Sequence, residues 1–135
     1  MSQGVTTAPF LTVENLTLHY GRAQAIFGVD LSVMKGETVA LVGANGAGKT
    51  SLLKAILGLL PASGGRITFD GADITRWSPV KRVRAGIAIS PEGRQVFPGL
   101  TVTENLELGA LALKIGAVET NRRMEEIFER FPRLK

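Results

Sequence analysis

A chain of 135 residues holds one domain at most, and its 44% hydrophobic content is that of a globular protein with a real core. Without a cysteine it has neither a disulfide scaffold nor a thiolate metal site, which suits a reducing compartment, and no apolar run approaches the roughly 20 residues of a membrane span. The net charge of +4 is spread thinly. Its densest cluster is Lys81, Arg82 and Arg84, with Trp77 nearby and no interleaved aromatic series, so a solvated helix face is expected there rather than a nucleic-acid partner.

Residues 1–9 lack a basic region followed by an apolar one, which speaks against a secretory signal and leaves a flexible lead-in. From Phe10 to Tyr20, Leu11, Val13, Leu16 and Leu18 recur between polar residues and predict a strand, interrupted near Glu14 and Asn15. Ala25 to Val33 predicts a second strand. Lys35-Gly36 then turns the chain into a third, the apolar run Thr38-Val39-Ala40-Leu41-Val42, expected to be buried. The short connections predict an antiparallel meander.

Gly43-Ala44-Asn45-Gly46-Ala47-Gly48-Lys49-Thr50 follows and fits G-x-x-x-x-G-K-S/T at every fixed position. A helix is expected behind it: Leu52, Leu53, Ile56, Leu57 and Leu60 share one face, and Pro61 stops the run. Strand, glycine loop and helix are the arrangement that phosphate binding requires. The glycines let backbone N–H groups converge on anionic oxygens, and the helix start adds unpaired N–H groups and the positive end of the macrodipole. Gly43, Asn45, Gly46, Ala47, Gly48, Lys49, Thr50 and Ser51 are therefore the candidate nucleotide-binding residues. Lys49 is placed to reach the β- and γ-phosphates, and the Thr50 hydroxyl to ligate Mg²⁺. The bland alternative is a glycine-rich turn with an incidental lysine. A dinucleotide fingerprint is excluded, because Gly46-Ala47-Gly48 has no third glycine behind it.

Further on, Ser63-Gly64-Gly65 makes a turn, Arg66-Ile67-Thr68-Phe69 a short strand and Asp70-Gly71 a hairpin turn. Ser78 caps a helix with Pro79 in its first turn, and Ile87-Ala88-Ile89 reads as a short apolar strand. After a loop with Pro91, Gly93, Pro98 and Gly99, Thr101-Val102-Thr103-Glu104 is a capping box that opens another helix. A last helix spans about Glu119 to Phe131, with Met124, Ile127, Phe128 and Phe131 on one face and charge on the other.

Leu18-His19-Tyr20-Gly21, Gly36-Glu37, the phosphate loop and Phe69-Asp70-Gly71-Ala72-Asp73-Ile74 together resemble the first half of an ABC transporter ATPase. The stretch from Ser90-Pro91-Glu92-Gly93-Arg94-Gln95-Val96-Phe97 through Leu106 is similar to the ATPase subunits of bacterial branched-chain amino acid importers, the type with Pro-Glu-Gly-Arg in this loop. The resemblance covers nearly the whole chain after the lead-in. It implies an α/β fold, a P-loop NTPase of ABC-ATPase type: an antiparallel β subdomain, an incomplete RecA-like parallel core and the start of a helical subdomain. Residues 10–135 are then the N-terminal part of a nucleotide-binding domain. ATP and Mg²⁺ are the implied cofactors. Transmembrane permease subunits and a second ATPase subunit in a head-to-tail dimer are the implied partners, at the cytoplasmic face of the bacterial inner membrane.

The same resemblance gives single residues their roles. Tyr20 matches the aromatic that stacks on adenine, against a plain strand-end tyrosine; stacking of this kind gives roughly 1–3 kcal/mol. Glu92 stands where most of the family carry the glutamine that touches Mg²⁺ and the attacking water, against an exposed loop carboxylate. Asp70 imitates a metal-holding aspartate at a strand end, but the following Gly71 argues for a turn, and His19 is expected at the surface. The family's Leu-Ser-Gly-Gly-Gln stretch and its later strand ending in Asp-Glu do not occur in the sequence, so no catalytic set is complete here. The chain is expected to be a fragment of a protein about twice as long, to bind ATP weakly or not at all and turn over negligibly on its own, and to be prone to oligomerise through an unpaired sheet edge.

Two competitors stay open. One is another phosphate-loop enzyme of small-molecule kinase type, for which Arg82 and Arg84 are weak lid candidates. The other is a non-catalytic nucleotide-binding module. A GTPase is excluded: there is no Asn-Lys-x-Asp, and none of Asp30, Asp70 or Asp73 has a glycine three residues on.

Overall fold

The spacing of apolar residues in the first strand is irregular, and the backbone answers it. In β1 (Leu11–Tyr20) the side chains of Val13, Leu16 and Leu18 are all buried, although Val13 and Leu16 differ by an odd number of positions. Strict alternation would send them to opposite faces. A bulge at Asn15, held at φ 46°, shifts the register between Val13 and Leu16 and returns the series to one side. The computed structural model describes residues 8–93 and 95–135. Most of the expected lead-in, residues 1–7, and Arg94 of the Pro-Glu-Gly-Arg stretch lie outside the described residues.

β2 (Ala23–Val33) folds back on β1 in an antiparallel hairpin running from Tyr20 opposite Ala23 to Leu11 opposite Val33. β3 (Gly64–Phe69) takes the other side of β1, also antiparallel, and β4 (Ala72–Asp73) finishes the sheet. The strand order is β2-β1-β3-β4. Asp70 and Gly71, both at positive φ, form the two-residue turn between β3 and β4, so Asp70 is a turn residue as its glycine suggested. Helix α1 (Lys49–Ile56) lies against β2 and buries Leu52, Ala55 and Ile56. With Val13, Leu16, Leu18, Ile26, Ile67 and Ile74 these side chains form the core. Each large one buried stabilises by roughly 1.5–3 kcal/mol.

Two expectations need correction. The run 38–42 is neither a strand nor buried: Val39 and Leu41 are more than a third exposed and Val42 is 94% exposed. Ile87-Ala88-Ile89 likewise forms no strand. Such all-apolar runs suit a parallel sheet covered on both faces, and a run becomes a strand only when a neighbour offers it a hydrogen-bonding ladder. Among the described residues none does so. The one sheet among the described residues is the antiparallel one, β2-β1-β3-β4, and neither run is part of it.

The first helix also ends earlier than expected. Pro61 is not its stop; Gly58 is. Gly58, at φ 75°, donates its N–H to the Ala55 carbonyl, and Leu59 donates to the Lys54 carbonyl. This pair of bonds satisfies the last carbonyls of the helix, and a glycine adopts the left-handed turn at no steric cost. Past β4, the short helix α2 (Pro79–Arg84) starts at Ser78, whose Oγ accepts from the Lys81 N–H at 3.3 Å, the expected cap.

The described residues divide into two compact units. The first ends at Arg82, and the second runs Val83–Lys135. Within the second, α3 (Val102–Leu111) opens on the predicted capping box. The Glu104 N–H donates to Thr101 Oγ1, and the Thr101 N–H donates to the Glu104 carboxylate at 2.7 Å. The Thr101 N–H, and after it the Thr101 hydroxyl, which also donates to the carboxylate at 2.9 Å, hold the Glu104 carboxyl below the usual carboxylate range. In α4 (Ala117–Arg130), Met124, Ile127 and Phe128 are half-buried on the expected face. The opposite face carries Glu119 with Arg122 and Arg123.

Candidate functional site

The loop between residue 42 and α1 is built by its own hydrogen bonds. The Ala47 N–H donates to the Ala44 carbonyl at 3.1 Å and closes the loop's turn. Gly48, at φ 91°, is the cap of α1, and its own carbonyl accepts the first helical bond from the Leu52 N–H. A Cβ on Gly48 would stand 3.1 Å from the Ala25 carbonyl oxygen of β2. Backbone angle and close packing therefore both require glycine there. No side chain caps α1, and its first turn has no acidic residue. The amides that open the helix have no acceptor from within it, and the positive end of the helix is uncompensated by a carboxylate.

Lys49 is the first residue of α1, and its side chain turns back over the loop. Its Nζ donates to the Gly43 carbonyl at 2.5 Å and to the Ala44 carbonyl at 2.7 Å. The ammonium is thus tethered to the start of the loop, and Lys49 as a whole is half-buried. Thr50 is exposed, with its hydroxyl in the first turn, and Asn45, Gly46 and Ala47 are exposed along the loop. Ser51 Oγ lies 3.3 Å from the hydroxyl of Tyr20, which ends β1 with about half of its surface open. The structure therefore brings together Tyr20, Gly43, Gly48, Lys49, Thr50 and Ser51. Beside the loop lies a mostly apolar cleft of about 290 Å³, lined by Ile26, Phe27, Leu41, Val42, Lys49 and Leu52. Such an assembly suits an anion of several oxygens: it offers amides, a helix start and one cation, and the Thr50 hydroxyl is a hard oxygen of the kind Mg²⁺ takes.

Glu92 belongs to the second unit, exposed in an irregular segment, where its carbonyl accepts a long bond from Gln95 Nε2 at 3.4 Å. His19, expected at the surface, sits there with Nδ1 3.0 Å from Ser63 Oγ. Arg82 departs from expectation. Taken as part of a solvated charge cluster, it is 2% exposed, the one buried charged side chain among the described residues. Its guanidinium donates to the carbonyls of Ala55, Ile56, Thr75 and Trp77. Burial lowers its pKa. Sequence reasoning missed it because its partners are backbone carbonyls, which no residue pattern marks. The positive-φ Gly58 beside it was the only local signal.

Comparison with known proteins decides the family. The family profile described as ABC transporter matches residues 26–135. The chain belongs to the ABC transporter family. Its ATP-binding relatives include the high-affinity branched-chain amino acid transport ATP-binding protein BraG of Pseudomonas aeruginosa, 39% identical over 93% of this chain and 53% of that protein. The ribose import ATP-binding protein RbsA of Yersinia pestis is 39% identical over 82% of this chain and 22% of that protein. A solved structure, the ATP-binding subunit of an ABC transporter, is 32% identical and superposes with a TM-score of 0.78 over 91% of this chain and 50% of its own. The chain thus spans about half the length of BraG and of that ABC subunit. The fold expected from its sequence, a P-loop NTPase of ABC-ATPase type, is the fold of these neighbours.

Proposed function

We propose that the chain is the N-terminal part of an ABC ATP-binding subunit that binds Mg-ATP through Gly43–Ser51 and Tyr20. The observation that carries this reading is the Lys49 ammonium, tethered by two loop carbonyls, on the first residue of a helix whose start has no carboxylate of its own. Replacing those carbonyls by phosphate oxygens would convert two neutral acceptors into charged ones, which bind an ammonium about twice as strongly. Lys49 then takes the β- and γ-phosphates and the loop amides hold the rest. Thr50 supplies a hard oxygen to Mg²⁺, and Tyr20 stacks on the adenine. Glu92, by its place in the sequence pattern alone, is proposed to offer an oxygen to Mg²⁺. Bound Mg²⁺ neutralises charge on the phosphates; the chain's own residues bind and orient them.

The transported substrate proposed for the full-length protein is a branched-chain amino acid, supported by BraG and by the Ser90–Leu106 stretch; RbsA supports a sugar instead, over less of the chain. Permease subunits and a second ATP-binding subunit are the proposed partners, at the cytoplasmic face of the inner membrane. No helix among the described residues is long and apolar enough to cross a membrane. Hydrolysis by these residues alone is proposed to be negligible, because no group in them matches the family's water-orienting carboxylate. The kinase-type rival loses one of its two lid arginines, since Arg82 is buried.

The test is calorimetric titration of the 135-residue chain with Mg-ATP, a turnover assay on the same sample, and Lys49→Ala as control. Binding without turnover, abolished in Lys49→Ala, is the expected result. Equal affinity in Lys49→Ala would refute the site. Turnover that Lys49→Ala abolishes would move the kinase reading to the front.

A further inference from the structure

Phosphate affinity at a helix start depends on how firmly the helix is held, and α1 is only 8 residues long. At 1.5 Å per residue that is about 12 Å, with few internal bonds to fix its direction. Its start is seated on β2 through Gly48. Its other end meets Arg82.

We propose that Arg82 is a positioning residue for the phosphate loop. Its buried guanidinium clamps the C-terminal carbonyls of α1 to the segment Thr75–Trp77, and so fixes the direction from which Lys49 and the opening amides meet a phosphate. The inference rests on the nucleotide reading above and adds to it a residue outside the loop.

The geometry carries the argument. Nη1 donates to the Ala55 carbonyl at 2.7 Å and to the Ile56 carbonyl at 2.8 Å, the last turn of α1. Nη2 donates to the Thr75 carbonyl at 3.0 Å, and Nε to the Trp77 carbonyl at 3.2 Å. A planar fork with five donors spans two segments in this way; a compact ammonium does not. All four acceptors are backbone carbonyls. Two of them form the negative end of the helix, the place where a buried cation is best tolerated without a carboxylate. The helix stop leaves room for it. A Cβ on Gly58 would stand 2.9 Å from Arg82 Nε and 3.1 Å from the Trp77 carbonyl oxygen. α1 is therefore pinned at both ends, and release of the far end lets the near end turn.

Two variants of the 135-residue chain test this: Arg82→Lys, which keeps the charge and loses the fork, and Gly58→Ala, which keeps Arg82 and crowds it. Each is read by calorimetry with Mg-ATP and by amide hydrogen exchange over residues 43–52 without nucleotide. In both, exchange over 43–52 is expected to accelerate more than in β1 and β3. Kd is expected to rise about tenfold, the weight of one charge-assisted hydrogen bond, with unchanged stoichiometry per folded chain. A merely structural residue would lower stoichiometry and stability and leave Kd and the exchange pattern alone; that result overturns the proposal, as does failure of both variants to fold. If the unaltered chain binds no Mg-ATP, the nucleotide reading fails while selective acceleration over 43–52 still upholds the clamp, and uniform exchange removes it.

Discussion

Gly48 joins the glycine-rich loop to the sheet, and Gly48→Ala tests that junction. An alanine at φ 91° costs about 1–2 kcal/mol for the left-handed backbone alone. Its Cβ would also stand 3.1 Å from the Ala25 carbonyl oxygen, a backbone atom in a paired strand that yields only by disturbing β2. Crowding of that kind adds about 1–2 kcal/mol. The expected loss is therefore about 2–4 kcal/mol. Gly46→Ala is the matched control, with φ 85° and nothing within 4 Å of the added carbon, so only the first cost applies. In equilibrium urea unfolding followed by circular dichroism, the midpoint of Gly48→Ala should fall by about 1 M or more, and that of Gly46→Ala by about half as much. Equal shifts would refute the seating of the loop on β2. No shift in either would refute the left-handed conformation itself.

Two further outcomes follow from the structure. Arg122 and Arg123 donate to the Glu119 carboxylate and lower its pKa from 4.5 to about 2. A depressed folded pKa stabilises above the ordinary value and the contribution is lost as pH falls, so α4 should lose helicity between about pH 4.5 and 2 in the unaltered chain and show no such acid step in Glu119→Gln. A Glu119 side-chain titration midpoint near 4.5 by NMR would contradict this. Val42 is 94% and Phe27 73% exposed beside the apolar cleft, so sedimentation should show concentration-dependent self-association that Val42→Glu suppresses. A monomer at every concentration would remove that expectation.

What the sequence made legible is what short-range chemistry specifies. The loop from Gly43 to Gly48 and the helix start behind it need only glycines at fixed spacing, and the Thr101–Glu104 box needs four consecutive residues; the helix start and the box both form where they were expected. The apolar stripe of α4 follows from periodicity alone. The misreadings are non-local. Thr38–Val42 has the composition of a buried strand, but a strand is a relation between two segments and only one is visible in a pattern. Gly58 and Pro61 compete to end one helix, and the earlier glycine wins because its left-handed turn lets its own N–H reach the Ala55 carbonyl and the Leu59 N–H reach that of Lys54. Arg82 looked solvated because its neighbours in sequence are charged; its neighbours in space are four carbonyls.

Trp77 is the single tryptophan of the chain. Its carbonyl accepts from Arg82, and its ring carries the Lys81 ammonium 3.8 Å from the centroid. An indole with a cation over its face is an optical sensor of that cation's position. The molecule therefore carries a built-in fluorophore at the far end of α1, one whose emission registers movement of that end without any label.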